Sequence, residues 1–297
     1  MSNLRVIRRR IRSIQNIRDI TKAMEMIAGV RFKRIEDRYK RSLPYGEELE
    51  KLISRLLSEE LVQDHPLFKK REIRHELLLV ITGDRGLCGG FNSALLRQAQ
   101  EYLARESSHR VTVYPVGRVG AGFVRRRGWP LKKTLMNLGY RFTRENLEPH
   151  FEEILGWYLG GEFDQVKILS MRFIKTGIQR PAMRPFLGLR YLLEAPEKKE
   201  SSTEGAQSRR TEPYYLFEPG AREAVEALVR LYVRQRFFAI LLGSVTAEYN
   251  ARMIAMKLAT DNAEEVIDRL TLLRNKVRQA SITREMTELM SGVEALR

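Results

Sequence analysis

The C-terminal quarter of the chain constrains its fold more than any other stretch. Between Ala221 and Ala295 there is no proline, and Gly243 and Gly292 each weaken a helix by only about 1 kcal/mol relative to alanine. Apolar residues recur at Leu228, Leu231, Tyr232, Phe238, Leu241, Leu242 and Val245. The steps tighten to Leu270, Leu273, Val277 and Ala280, then to Ile282, Met286, Leu289, Val293 and Leu296. This is the period of one helix face. Seventy-odd residues at about 1.5 Å each give a rod on the order of 110 Å long. A globular domain cannot bury such a rod, and an isolated helix of that length needs packing along it.

The other end of the chain supplies a partner. Leu4, Ile7, Ile11, Ile14, Ile17, Ile20 or Thr21, Met24, and Ile27 or Ala28 form a stripe narrow enough for a coiled-coil seam. The pattern runs on through 31–40 and 47–61, and Pro44 is expected to interrupt or bend it. Because both helices connect to one middle segment, they are expected to pair antiparallel. The expected division is an N-terminal helix over 1–62, a middle domain over 74–218, and a C-terminal helix over 219–297.

The middle reads as α/β. Strands are expected at 76–82, 110–116, 164–174 and 184–193, with a shorter one at 214–217. Helices are expected at 92–106, 118–127 and 144–159. Strands alternating with helices imply crossover units and a largely parallel, Rossmann-like sheet. Residues 197–212 lack apolar periodicity and read as a mobile loop. No apolar run approaches the roughly 18 residues of a membrane helix, and no secretory signal is expected at the N-terminus.

Charge is unevenly placed. Of a net +16, residues 1–41 hold thirteen Lys and Arg against four acids, whereas the chain from Gly220 holds twelve against ten. A basic N-terminal helix calls for an anionic partner: an acidic protein surface, lipid head groups, or nucleic acid. A basic coiled-coil protein that binds nucleic acid is the alternative reading, weakened by the absence of interleaved aromatic residues.

The loop ITGDRGLCGGFN, 81–92, imitates a phosphate-binding turn between a strand and a helix. Its glycines, Gly83, Gly86, Gly89 and Gly90, fit neither dinucleotide nor P-loop spacing. No lysine follows them, and no acid stands after the second strand, where Pro115-Val116-Gly117-Arg118 is found. No nucleotide or other cofactor is expected. Cys88 is the only cysteine and the histidines are four and scattered, so neither a thiol catalyst nor a metal site is expected. The last helix is unusual: from 279 to 296 it has three acids and one base, with Ser281, Thr283, Thr287, Ser291 and Gly292 where a wet face belongs. So weakly charged a tip suggests one enclosed by other subunits.

Four stretches, 20–28 (ITKAMEMIA), 81–92, 251–263 (ARMIAMKLATDNA) and 270–296, closely resemble the gamma subunits of F-type ATP synthases. The resemblance implies a non-catalytic rotor shaft whose helix pair stands inside a ring of alpha and beta subunits. It implies an α/β foot beside the epsilon subunit and the membrane rotor ring, on the cytoplasmic face of a bacterial inner membrane. It also implies roles in subunit contact. Arg8, Arg9 and Arg10 face an acidic beta-subunit loop, and Thr21, Lys22 and Met24 form a bearing segment. Arg252, Arg278, Gln279 and Thr283 contact the beta subunits, and Tyr215 and Phe217 rest on the membrane ring. The resemblance implies no catalytic residue, metal, small-molecule substrate or nucleic-acid partner.

Overall fold

The computed structural model of the protein describes residues 2–56, 65–106, 108–189 and 220–294. In chain order these form α1 (Ser2–Leu56), β1 (His75–Ile81), α2 (Phe91–Arg105), β2 (Arg110–Val116), α3 (Arg118–Arg127), α4 (Arg144–Leu159), β3 (Gln165–Lys175), β4 (Ile178–Leu187) and α5 (Ala221–Glu294). The expected strand at 214–217 and loop at 197–212 lie outside the described residues.

Compactness divides the protein into two units. One comprises 1–32, 87–89 and 249–297; the other comprises 33–86 and 90–248. Both long helices therefore contribute residues to both units.

The second unit is built on a four-stranded sheet in the order β2-β1-β3-β4. β1 pairs parallel with β2 and with β3, as crossover helices require. From Glu76 to Ile81 β1 is wholly buried, the pattern of a central strand covered on both faces. β3 and β4 form an antiparallel hairpin across Thr176 and Gly177, with Gly177 at φ 82. The fourth strand thus begins six residues before the 184 expected from sequence. β4 tolerates Pro181 and Pro185 because it is an edge strand. α2 packs over β1, β3 and β4, and α3 against β2. Thr143 caps α4 reciprocally with Asn146, the side chain of each accepting the other's backbone N–H.

The portion of α5 in this unit contributes Phe237 to a stack with Phe151 of α4 and Phe186 of β4. α1 runs antiparallel to it. Gln235 donates to the Ser42 carbonyl at 3.0 Å, and Gly243 leaves room for the Tyr39 ring, 3.1 Å from where a Cβ would stand. Pro44 lies inside α1 without ending it, so of the expected interruption or bend the interruption does not occur. Pro44 is exposed while Leu49 and Ile53 beyond it are buried, so burial on the opposite face carries the helix across the missing hydrogen bond.

In the first unit the two helices also run antiparallel. Thr260 Oγ1 donates to Thr21 Oγ1 at 2.9 Å, and Met253 Sδ lies 3.5 Å from the Cβ position of Gly29. The seam of α1 departs from the expected stripe. Among its buried or half-buried positions Leu4, Ile7, Ile11, Ile14, Arg18, Thr21, Glu25, Ala28 and Phe32 follow an alternation of steps of three and four, with half-buried Met24, Gly29 and Arg31 beside it. Ile17, expected in the seam, is exposed; of the alternatives Ile20 or Thr21 and Ile27 or Ala28 the seam takes Thr21 and Ala28, and Ile20 and Ile27 are exposed. On α5 the seam takes Met256, Thr260, Ala263, Ile267, Leu270, Arg274, Val277 and Ser281, while Leu273 is 46% exposed and Ala280 is exposed.

Candidate functional site

The glycine loop is occupied by the protein itself. Gly83 N–H donates to Asn92 Oδ1 at 2.9 Å, and Asn92 Nδ2 donates back to the Arg85 carbonyl at 3.4 Å. The N-terminus of α3, where an anion would gain most from the helix dipole, is already satisfied. Asp84 Oδ1 accepts from Arg118 N–H at 3.0 Å and from Asn137 N–H at 3.1 Å, and Thr82 Oγ1 accepts from Gly120 N–H at 2.9 Å. A second carboxylate, from Glu248, stands 2.9 Å from the Cβ position of Gly83. Two carboxylates at the carboxyl end of β1 repel a pyrophosphate rather than attract one. The loop's glycines serve close approach instead: at Gly117 (φ 92) an added Cβ would lie 2.2 Å from the Thr82 carbonyl oxygen.

The loop tip, 87–89, belongs with the helix-pair unit. Gly89, at φ 56, brings its backbone to within 3.7 Å of Ala255 on α5, measured from its Cβ position, and Cys88 is buried. A buried thiol packed in this way is an inert small side chain. Among the described residues no group of His, Cys, Asp and Glu can hold a metal ion.

The helix pair itself presents the candidate functional surface. α1 exposes Val6, Ile17, Ile20 (60%), Met26, Ile27 and Val30, and α5 exposes Leu258, Leu272, Ile282, Met286, Leu289 (71%) and Met290. Scattered exposed apolar residues are ordinary, but a run of this length on one helix pair is an interaction surface. Exposed charged residues, Lys22, Arg278, Arg284, Glu285 and Glu288, stand among the apolar ones on this surface. Thr283 and Thr287 donate their hydroxyls to the Gln279 and Thr283 carbonyls at 3.0 and 2.9 Å, which turns their methyls outward. Basic charge flanks it, since Arg8, Arg9 and Arg10 are all exposed.

The residues singled out from sequence divide into three groups. Lys22, Arg278, Gln279 and Thr283 are exposed on this surface, and Met24 is half-buried at its margin. Thr21 and Arg252 are turned inward. The Thr21 hydroxyl is bonded to Thr260, and Arg252 is 9% exposed with its guanidinium over the Tyr249 ring at 5.1 Å. Stacking on an aromatic face allows an arginine to be buried. Tyr215 and Phe217 lie outside the described residues. Sequence reasoning missed the exposed isoleucines of α1. Counting strict three-four steps from Leu4 would have found them, because that register passes through Arg18, Thr21 and Glu25 and leaves Ile17, Ile20 and Ile27 off the seam.

The same arrangement is found in known proteins. A family profile described as ATP synthase matches residues 3–296. The chain is 36% identical over 296 residues to the ATP synthase gamma chain of Desulfitobacterium hafniense and 32% identical over 299 residues to that of Protochlamydia amoebophila, with all of each chain covered. Its fold is similar to a chain of the Euglena gracilis mitochondrial ATP synthase, with a TM-score of 0.64 at 16% identity over 99% of this chain and 95% of that one. It is also similar to a chain of the central stalk and c-ring of the Tetrahymena thermophila enzyme, with a TM-score of 0.61 at 23% identity over 81% of this chain and 99% of that one. With relatives above 30% identity matched from end to end, the chain belongs to the family of ATP synthase gamma chains.

Proposed function

We propose that the chain is the rotor shaft of an ATP synthase. It turns inside a ring of alpha and beta subunits and couples ion flow through a membrane rotor ring to ATP synthesis or hydrolysis on the beta subunits. It carries no catalytic residue of its own, contacts an epsilon subunit at its foot, and works as a peripheral protein on the cytoplasmic side of a bacterial membrane. The observation that carries this reading is the number of apolar residues left exposed on the helix pair, in a chain that matches gamma chains along its whole length. Such a surface is stable in water only when covered, and its small, weakly charged side chains suit a socket against which it slides. Exposed Arg8, Arg9 and Arg10 supply attraction to an acidic loop of that socket. In no helix of the described residues is there a segment long and apolar enough to cross a membrane, which agrees with attachment through other subunits.

Affinity purification of the tagged chain from its native membranes tests this. Recovery of a hexameric ATPase, with ATP hydrolysis in the complex and none in the isolated chain, is expected. Recovery of the chain with nucleic acid and without ATPase subunits would overturn the reading.

A further inference from the structure

The C-terminal end of α3 gathers arginines for which the described protein provides no carboxylate. Arg125, Arg126 and Arg127 form its last turn, α3 contains no acid, and all three side chains are exposed. Arg127 is held by neutral neighbours, donating to Gln100 Oε1 of α2 at 3.4 Å and lying over the Phe123 ring at 5.5 Å. Arg97, one turn before Gln100 on α2, is also exposed. None of these four arginines has an ion-pair partner among the described residues. Nearby Lys132 and Lys133, by contrast, are paired with Glu162 and Glu153. The helix dipole favours cations in a last turn, which accounts for part of the charge on α3 but not for Arg97.

An aromatic side chain stands beside this charge. Gly128 ends α3 at φ 67, and Trp129 packs edge-on against Phe123 with ring centroids 5.5 Å apart, half-buried. We propose that this end of α3, with Arg97, Arg125, Arg126, Arg127 and Trp129, is a docking surface for an anionic phospholipid bilayer. Successive arginines about 100° apart around a helix end do not converge on one carboxylate. A field of head groups attracts each of them separately, by about fivefold in partitioning, or about 1 kcal/mol, per arginine. An indole next to such arginines is the side chain that settles at head-group level. Base stacking would require an uncovered aromatic face, whereas Phe123 is capped by Arg127 and flanked by Trp129. Lipid docking at α3 goes beyond the rotor reading and is tested without it.

The N-terminal arginines also attract anionic vesicles, so the test must report from α3 itself. Trp129 and Trp157 are the only tryptophans, and the full-length Trp157→Phe variant makes fluorescence report on Trp129 alone. Vesicles of phosphatidylcholine with bromine-labelled phosphatidylglycerol are expected to quench Trp129, the quenching weakening as salt is added. Vesicles of labelled phosphatidylcholine alone are expected to leave it unchanged. Adding Arg125→Gln, Arg126→Gln and Arg127→Gln is expected to lower the apparent affinity read from Trp129 about a hundredfold. Quenching that is absent, insensitive to salt, or unaffected by these substitutions overturns the proposal. So does a Trp129 response to duplex DNA or polyglutamate but not to vesicles.

Discussion

Gly117 has no room for a side chain: its φ is 92, and the Thr82 carbonyl carbon and Gly83 oxygen lie 2.8 and 2.9 Å from its Cβ position. Strain and overpacking together should make Gly117→Ala destabilising by about 2 to 5 kcal/mol, readable as a lowered denaturant midpoint. A near-silent substitution would mean that the β1 and β2 loops do not meet as described. His150, whose Nδ1 lies 2.9 Å from Tyr114 Oη, is held below the ordinary 6.5 by burial, with Lys133 acting in the same direction and Glu153 opposing. Being neutral in the fold, it costs nothing at high pH; as pH falls through 6.5 the unfolded chain takes up a proton that the folded one resists, and stability drops. His150→Gln should therefore flatten the fall in melting temperature from about pH 7.5 to about pH 5.5. His65, also lowered by burial, should keep a remainder of the fall in the variant. An identical pH profile in variant and wild type would refute the assignment.

At the scale of the element, the two long helices were legible because periodicity survives over 55 and 74 residues, but their faces were less so. An apolar stripe gives the direction of burial to within about one residue in each turn, and α1 offers isoleucines on both sides of its seam. Contact with α5 selects the register in which Thr21 meets Thr260. Ile35, fully buried on α1, and Leu273, nearly half exposed on α5, make the difference measurable. Ile35→Ala should cost about 2 to 5 kcal/mol and Leu273→Ala about 0.5 kcal/mol or less. Equal losses in chemical denaturation would show that the assigned seam is wrong. In the same way β4 was displaced from its expected start, since its first residues are held as a strand by pairing with β3 across the hairpin at Gly177.

For the whole molecule, the proposed function assigns the exposed apolar residues of the helix pair to assembly rather than to folding. Ile20→Asp with Ile27→Asp should leave the melting temperature of the isolated chain nearly unchanged, both side chains being exposed, while weakening its recovery with the ATPase ring by at least about tenfold. Full recovery in a quantitative pull-down would remove that surface from the proposed socket. Local pattern alone determined that two terminal helices pair around an α/β middle, and that the glycine loop lacks the groups to hold a nucleotide. Both rest on spacing and residue type within a few turns of chain. Tertiary structure alone decided which apolar residues stay exposed, that Arg252 turns inward onto Tyr249, and that Asp84 accepts from the backbone of Arg118 and Asn137 while Glu248 lies against Gly83. The contacts of Asp84 join residues far apart in the chain, and the exposure of the isoleucines and of Arg252 follows from how the long helices pack; periodicity within one segment carries no record of its distant neighbour.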